Sequence, residues 1–369
     1  MVYKLCDLAK IKYGKNQSKV VDINGKYPIY GTGGLMGYAK EFLYDKPSVL
    51  IGRKGTIDKV RFIDSPFWTV DTLFYTIINE NIVYPQYFYY LLKNVDLTKF
   101  NEGTTIPSLR TETLNRIELE VPNKRVQSKI ISLIGGIDEK IRLNNDINDN
   151  LHSQLDSLFY EFWNEKKLIK NVEWKQKRLG DLVDIKRGGS PRPIADYISD
   201  SGYSWLKISD VTSVESPYIW SIKEHIKEEG LKKTVFLKAG NLVLSNSATP
   251  GIPKIIGLDT CIHDGWLYFI NSKLSNYFLY LLFRNIRTKL ISFSNGSIFN
   301  NLKTDIVKNY IIDYPGFDVL NQFDNLVYPL FEGLKVISVE NAKLIELRDT
   351  LLPKLMSGEI DVSNIKLDL

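Results

Sequence analysis

Residues 102–122 of the chain read EGTTIPSLRTETLNRIELEVP, and residues 295–315 read NGSIFNNLKTDIVKNYIIDYP. The two stretches align without a gap at an offset of 193 residues. Their identical residues, in the numbering of the first stretch, are Gly103, Leu109, Thr111 and Pro122. Several of the other aligned pairs are conservative. Self-similarity of this kind indicates an internal repeat, which decides the architecture before any local prediction of secondary structure.

Two shorter matches precede this one and keep the same order along the chain. KLCDLAKIKYGK at 4–15 matches RLGDLVDIKRGG at 178–189, and YFYYLL at 87–92 matches YFLYLL at 277–282. The offset grows from 174 to 193, so the second copy has gained 19 residues between its opening strand and the strand near Leu242. The sequence therefore predicts a tandem duplication.

Each copy is predicted to end in a long helix with a narrow apolar stripe. Seam positions alternate at spacings of four and three, which is the two-in-seven pattern of a coiled coil. They are Ile137, Ile141, Asn144, Asn148, Leu151, Leu155, Leu158 and Phe162 in the first helix, and Leu330, Leu334, Ile337, Asn341, Leu344, Arg348, Leu351 and Leu355 in the second. The strict pattern favours packing of the two helices on each other, and the alternative is that each stripe packs on its own globular half. Asn148 and Asn341 are equivalent positions, where a buried asparagine fixes register at a cost in stability.

The rest of each copy has the pattern of mixed strands and short helices. Runs of β-branched and aromatic residues predict strands at Val49–Ile51, Leu73–Ile78, Ile117–Val121, Leu242–Leu244, Trp266–Ile270 and Tyr310–Tyr314. Tyr84–Leu92 and Asn276–Phe283 are predicted to be amphipathic helices. The expected fold class is α+β, with globular domains at 1–123 and 172–316, a first helix within 124–171, and a second helix and tail within 317–369.

Composition places the chain among folded soluble proteins. Of its 369 residues, 44% are hydrophobic and 25% are charged, and no apolar run is long enough to cross a membrane. Cys6 and Cys261 are the only cysteines and the N-terminus lacks a secretory pattern, so we expect a reducing cytoplasm. The net charge of +5 divides into +3, +1, +5 and −4 over the four segments given above. A modest excess of this kind is weak evidence for a polyanionic partner.

Motifs of catalysis are few. The sequence has no GxxxxGK[ST] phosphate loop, and its three histidines are far apart. His263 and Asp264 are adjacent, and on a strand they would face opposite ways, so they are not expected to act together. No metal site and no nucleophile is predicted, and the chain has the features of a binding protein rather than those of an enzyme.

Both copies carry cations and small polar residues in predicted loops. Arg, Lys, Asn, Ser and Thr are the side chains that contact base edges and phosphates, although turns contain the same residues. The candidates are Arg53, Lys54, Thr56, Lys59, Thr104, Thr105, Ser108 and Arg110 in the first copy, and Lys186, Arg187, Ser190, Arg192, Lys207, Asn246, Ser247, Ser297, Asn300, Asn301 and Lys303 in the second.

The whole chain resembles the DNA specificity subunits of Type I restriction–modification systems. The two openings quoted above resemble the start of a recognition domain, and VLIGRKGTIDKV (49–60) resembles its central loop. VPNKRVQSKI (121–130) resembles the entry into the spacer helix, and LRDTLLPKLMSGEIDV (347–362) resembles the C-terminal signature. The second copy departs from this pattern at VLNQ (319–322) and at SNSATPG (245–251).

The resemblance implies a non-catalytic subunit in which each globular domain reads one half of a split double-stranded DNA target. The two helices would form an antiparallel spacer that sets the unread gap and docks two methylation subunits, with restriction subunits added for cleavage. S-adenosylmethionine, ATP and Mg²⁺ would belong to those partners, and this chain would hold no cofactor. The alternatives are a coiled-coil adaptor between proteins, without a DNA role, and a self-contained enzyme with fused recognition domains.

Overall fold

The computed structural model describes residues 1–212, 214–293 and 301–363. The chain forms two compact units. The first comprises residues 1–140 together with the described residues from Ile345 onward, and the second comprises Ile141–Leu344.

The elements of the first copy alternate short strands with short helices and end in one long helix. They are β1 (Val2–Lys4), α1 (Leu5–Leu8), β2 (Ala9–Tyr13), β3 (Tyr27–Gly31), β4 (Gly34–Ala39), β5 (Ser48–Gly52), β6 (Val60–Ile63), β7 (Trp68–Thr69), β8 (Leu73–Ile78), α2 (Pro85–Lys93), α3 (Thr111–Asn115), β9 (Glu118–Glu120) and α4 (Lys124–Phe159). A single 3-10 turn, Leu97–Phe100, follows α2, and a π-helical turn, Tyr160–Asn164, follows α4.

The second copy repeats this order with additional short strands. Its elements are β10 (Lys175–Arg178), β11 (Asp184–Arg187), β12 (Ile198–Ser199), β13 (Tyr203–Leu206), β14 (Tyr218–Ile219), β15 (His225–Ile226), β16 (Val235–Leu237), β17 (Leu242–Ser245), β18 (Pro253–Ile256), β19 (Thr260–Ile262), β20 (Trp266–Ile270), α5 (Asn276–Ser292), α6 (Thr304–Lys308), β21 (Ile311–Tyr314) and α7 (Phe317–Met356). Its 3-10 turns are Leu179–Asp181, Ile194–Asp196, Ile208–Asp210 and Glu228–Lys233.

Matching sheets in the two units confirm the duplicated α+β fold. The first unit has sheets in the orders β2-β8-β5-β6, β4-β3-β7 and β1-β9. The second has β11-β20-β17-β18-β14, β12-β15-β13-β19-β16 and β10-β21, so the opening strand, the closing strand and the central strands take equivalent places. Each unit includes a parallel pair, with Ile29 opposite Trp68 in the first and Trp205 opposite Cys261 in the second, and the second unit has a further one between β14 and β18.

The insertion in the second copy lies where the growing offset predicts it. Among the described residues, the chain forms β3 and β4 between β2 and β5, and it forms β12 to β16 between β11 and β17. The predicted helix at 276–283 extends further, to Ser292. The hydroxyl of Ser275 caps its start by accepting a hydrogen bond from the Phe278 amide at 2.9 Å.

The long helices run antiparallel within each unit. In the first unit, Asp138 of α4 pairs with Arg348 of α7, while Lys129, earlier in α4, donates to the carbonyl of Val362, beyond the end of α7. In the second unit, Asn144 bonds Asn341, and in the π-helical turn that follows α4 the ring of Phe162 stacks on that of Phe323, with the ring centres 4.2 Å apart. Partner numbers fall as numbers along the first helix rise, which is the antiparallel arrangement.

Both packing modes foreseen for the apolar stripes are present. Every predicted seam residue is buried or half-buried. Ile130 and Leu355 pack on each other's helices and also enter the core of the first globular domain. Leu155 and Leu334 do the same in the second domain. The helices are therefore part of each domain's hydrophobic core as well as a seam.

The seam asparagines are not equivalent in their contacts. Asn144 is 1% exposed, and its amide donates to Asn341 Oδ1 at 2.8 Å. Asn341 in turn donates to Asn145 Oδ1 at 2.9 Å. The repeat offset maps Asn341 onto Asn148, but it maps Asn144 onto Ile337. Accordingly, Asn148 Oδ1 is buried without a hydrogen-bond partner among the described residues.

Candidate nucleic-acid interface

In the first domain, the loop between β5 and β6 meets the segment before α3. The Gly55 amide donates to the Pro107 carbonyl at 2.9 Å, and the Leu109 amide donates to the Arg53 carbonyl at 2.9 Å. Lys54 and Ser108 form an antiparallel bridge between the two segments. These backbone contacts make one surface from residues that are more than fifty positions apart in sequence.

This surface is an open cleft of about 620 Å³. The predicted residues that line it are Arg53, Lys54, Thr104, Thr105, Ser108 and Arg110. Thr56 and Lys59 belong to the same β5–β6 loop but do not line the cleft. Arg110 pairs with Glu102 at 3.1 Å, with 70% of its side chain exposed, and an ion pair at such exposure adds little stability. The guanidinium of Arg110 is therefore available to a partner at low cost.

Arg53 is fixed at the edge of this cleft by two contacts. Its Nη1 donates to the Asp71 carbonyl at 2.7 Å, and its guanidinium lies 5.2 Å from the centre of the Tyr13 ring. The Arg53 amide also donates to the Thr72 carbonyl at 2.9 Å. A guanidinium over an aromatic face is held in a defined plane, which leaves its other donors oriented for a ligand.

The second domain repeats three of these hydrogen bonds at the same offset. The Asn246 amide donates to the Gly265 carbonyl at 2.8 Å, and the Leu302 amide donates to the Asn246 carbonyl at 2.8 Å. Asn246 Nδ2 donates to the Asp264 carbonyl at 3.2 Å. Asn246 thus stands where the first domain has Arg53, and it makes the same backbone and side-chain contacts at the same offset.

A glycine after the opening strand lets two loops approach closely in each domain. The amide of Gly14 donates to the Leu73 carbonyl at 3.0 Å, and that of Gly188 donates to the Trp266 carbonyl at 2.9 Å. A Cβ at Gly14 would lie 2.0 Å from the Val70 carbonyl oxygen, and one at Gly188 would lie 2.2 Å from that of His263. Only glycine fits either position, so both opening strands are locked against the same turn.

One residue in the central loop of each domain has a left-handed backbone. Gly55 has φ +87° and its equivalent Ala248 has φ +54°. Alanine in this region costs about 1–2 kcal/mol. The second domain therefore keeps a left-handed residue at this position even though its sequence, SNSATPG, has Ala248 in place of the glycine.

In the second domain, Asp264 contacts three polar side chains, those of Arg187, Ser190 and Arg192. Its Oδ1 accepts from Ser190 Oγ at 2.6 Å, and its Oδ2 lies 3.4 Å from Arg192 Nη2 and 3.9 Å from Arg187 Nη2. Arg187 Nε donates to the Asp264 carbonyl at 2.5 Å. Partial burial opposes ionisation, but the Ser190 hydrogen bond and the two arginines outweigh it and lower the pKa of the Asp264 carboxyl. Three predicted residues are thus brought together by one that was not predicted.

The remaining predicted residues of the second domain are more dispersed. Lys186 neighbours Arg187 on β11 and so faces the opposite side of the strand. Lys207 forms an ion pair with Glu224. Ser247 follows Asn246 in the central loop, and Asn301 and Lys303 are exposed before α6. Ser297 and Asn300 lie outside the described residues.

Sequence reasoning missed the turn that organises both sites. His263 and Asp264 lie after β19 in a turn rather than on a strand, so the expectation that they face opposite ways is wrong: His263 Nδ1 lies 3.8 Å from Asp264 Oδ1. Tyr13 and Asp71 were missed in the first domain. The repeat carries the signal, since the offset of 193 aligns Asp71 with Asp264 and Arg53 with Asn246.

Within the described ranges, no group of His, Cys, Asp and Glu is arranged to hold a metal ion. None of the helices described is long and apolar enough to span a membrane.

The duplicated framework with divergent side chains defines a protein with two related recognition sites. The sequence matches the family described as Type I restriction modification DNA specificity domain over residues 1–153 and again over 171–325. The chain belongs to this family and carries two copies of its domain, which confirms the resemblance and the duplication inferred from sequence.

Individual specificity subunits of Type I systems are similar to this chain over most of its length. The chain is 25% identical over 353 residues to the Type I restriction enzyme MjaIX specificity subunit of Methanocaldococcus jannaschii, covering 88% of this chain and 80% of that protein. It is 23% identical over 383 residues to the HindI specificity subunit of Haemophilus influenzae, covering 81% of this chain and 83% of that protein. A crystal structure of a Type I S subunit from M. genitalium has the same fold, with a TM-score of 0.63, 17% identity, and coverage of 96% of this chain and 95% of that one.

Proposed function

We propose that this chain is the sequence-specific DNA-binding subunit of a Type I restriction–modification complex, and that each globular domain reads one half of a split target. The domains at 1–123 and 172–316 would be the readers, and the helices within 124–171 and 317–369 would set the unread gap. The observation that carries the proposal is the pair of matched loop frameworks, with the same backbone bonds and different side chains.

A common framework with different side chains suits two half-sites of different sequence. Backbone bonds and the close approach at Gly14 and Gly188 fix where the loops stand. The side chains at the equivalent positions differ: Arg53 lines the open cleft of the first domain, whereas Asn246 is 4% exposed and donates to the Asp264 carbonyl. The second domain would therefore contact its half-site through other side chains on the same framework, so the two domains would prefer different bases.

The chain acts, in this proposal, as a recognition subunit without its own chemistry. Two methylation subunits would dock on it, and restriction subunits would join for cleavage. S-adenosylmethionine, ATP and Mg²⁺ would be bound by those subunits rather than by this chain. The antiparallel helix pair supports a symmetric arrangement of two partners, since two-fold protein symmetry suits a two-part duplex site.

A methylation map tests the function. The gene would be expressed together with the gene for the methylation subunit of its system in a host lacking both, and genomic DNA would be sequenced for modified bases. The expected result is one motif of two short specific parts separated by a fixed gap, which disappears when this gene is omitted. A host with active methyltransferase and no new motif would instead support the adaptor function.

The same methylation map tests whether each domain reads one half-site. A variant with Arg53→Ala and Lys54→Ala should alter one part of the motif and leave the other part and the gap unchanged. A change in both parts of the motif would contradict the assignment of one half-site to each domain.

A further inference from the structure

Arg187 is an exposed cation of the second domain whose guanidinium is held in place by the neighbouring turn. It ends β11, directly before Gly188, whose backbone is locked against the turn at 263–266. Its Nε donates to the Asp264 carbonyl at 2.5 Å, and its Nη2 lies 3.9 Å from the Asp264 carboxylate. With 55% of its side chain exposed, Arg187 is nevertheless open to a ligand.

We propose that Arg187 reads a guanine in the half-site of the second domain, and that Asp264 is a positioning residue that holds its guanidinium for this contact. The inference rests on the proposed function. The Nε and Nη2 side of the guanidinium faces Asp264, which leaves donors on Nη1 and Nη2 directed away from it. Two parallel N–H donors match the O6 and N7 acceptors of guanine, and this bidentate pair is the commonest specific contact in the major groove.

The carboxylate beside Arg187 favours a base over a phosphate as the ligand. An arginine can pair bidentately with a phosphate as well as with a base edge, so the geometry of the guanidinium suits both. The Asp264 carboxylate, 3.9 Å from Arg187 Nη2, would repel a phosphate, whereas the acceptor edge of guanine is uncharged.

The Asp264 carboxylate is itself held in place by Ser190 and Arg192. Ser190 Oγ donates to Asp264 Oδ1 at 2.6 Å and lies 3.2 Å from the Asp264 amide. Arg192 Nη2 lies 3.4 Å from Oδ2. The lowered pKa of Asp264 keeps it ionised at neutral pH. Positioning groups locked in this way are what a precise recognition contact requires.

The first domain supplies a matched comparison. Its equivalent turn presents the Asp71 carbonyl to Arg53, which arrives from the central loop instead of the opening strand. Tyr13 stands at the position of Arg187. Asp71 has no ion pair among the described residues, so its carboxylate braces nothing there. Asp71→Asn is therefore the control for Asp264→Asn.

The experiment uses the chain assembled with its methylation subunits. Methylation rates would be measured on duplexes that carry the mapped motif and on duplexes with each G·C pair of each half replaced in turn. Arg187→Lys keeps the positive charge but loses the two parallel N–H donors of the guanidinium. It should slow methylation of the full motif by roughly 10- to 100-fold and abolish the discrimination at one G·C pair only.

Asp264→Asn should relax discrimination at that same G·C pair, by a smaller factor, while Asp71→Asn leaves it unchanged. Circular dichroism and assembly with the methylation subunits would verify that each variant is folded. An equal loss on all duplexes, with the discrimination at every G·C pair unchanged, would make Arg187 a phosphate contact and overturn the proposal.

Two other outcomes separate this inference from the function on which it rests. A wild-type split motif without a G·C pair in either half would overturn the role of Arg187 and leave the proposed function intact. A wild-type complex that methylates no split motif would refute the proposed function itself.

Discussion

Replacing Asn148 by leucine is expected to stabilise the second unit. Its Oδ1 is buried and unpaired among the described residues, and an unsatisfied buried acceptor costs about 1–3 kcal/mol. Asn148 is only half-buried, so the lower end of that range applies. Removing the acceptor should raise the free energy of unfolding by about 1 kcal/mol, with a few tenths more from helix propensity.

The same change at Asn341 should have the opposite sign. Asn341 accepts from Asn144, which is 1% exposed, and donates to Asn145. The Asn144 amide donates to Glu340 Oε2 as well as to Asn341, so leucine at 341 would remove one of its two acceptors, at a cost of about 2 kcal/mol. The two seam asparagines, equivalent in sequence, are thus expected to differ by roughly 3 kcal/mol on substitution.

Thermal unfolding followed by circular dichroism measures the difference. For a unit of about 200 residues, 1 kcal/mol shifts Tm by roughly 2–4 °C. Asn148→Leu should therefore raise Tm by about that amount, and Asn341→Leu should lower it by roughly twice as much. Asn150→Leu, on the exposed face of α4, carries the same change in helix propensity and is the control. A lowered Tm for Asn148→Leu would refute the assignment of an unpaired seam acceptor.

Three further predictions concern other positions. Ala248→Gly should stabilise the protein by roughly 1 kcal/mol and Gly55→Ala should destabilise it by a similar amount, both measured by thermal unfolding, because both residues have positive φ. Alanine at Arg53 and Lys54 should weaken DNA binding of the assembled complex by about 1–3 kcal/mol for each residue that contacts a base; unchanged affinity would remove this loop from the site. Burial lowers the pKa of His152 from 6.5 to about 4, so its contribution to stability is present above pH 6.5 and is lost as pH falls towards 4. His152→Gln should make the denaturation midpoint less dependent on pH over that range.

The duplication and the long helices could be predicted because they leave strong periodic signals. Matches at a fixed offset and a two-in-seven stripe do not depend on how loops fold. The contacts of the asparagines could not be predicted in the same way. Asn148 and Asn341 occupy equivalent positions of the repeat, and only the antiparallel pairing shows that Asn341 faces Asn144 while Asn148 lacks such a partner among the described residues.

The sequence predicted which types of residue form the candidate site, but not which of them lie next to each other. Arg53, Arg187 and Ser190 were chosen because cations and hydroxyls in loops contact DNA, and that rule does not say which of them meet. Asp264 was passed over because a single carboxylate has no distinctive pattern in sequence. Its role depends on a turn brought against the opening strand by bonds between distant backbone groups.

The two domains differ in a way that explains how one fold can serve different targets. A guanidinium donates to the same turn carbonyl in both, from Arg53 to Asp71 and from Arg187 to Asp264. It comes from the central loop in one domain and from the opening strand in the other. Backbone hydrogen bonds hold the loops whichever residue they carry, so a side chain can be exchanged without moving the framework. Change in specificity then needs substitutions only at positions outside those bonds.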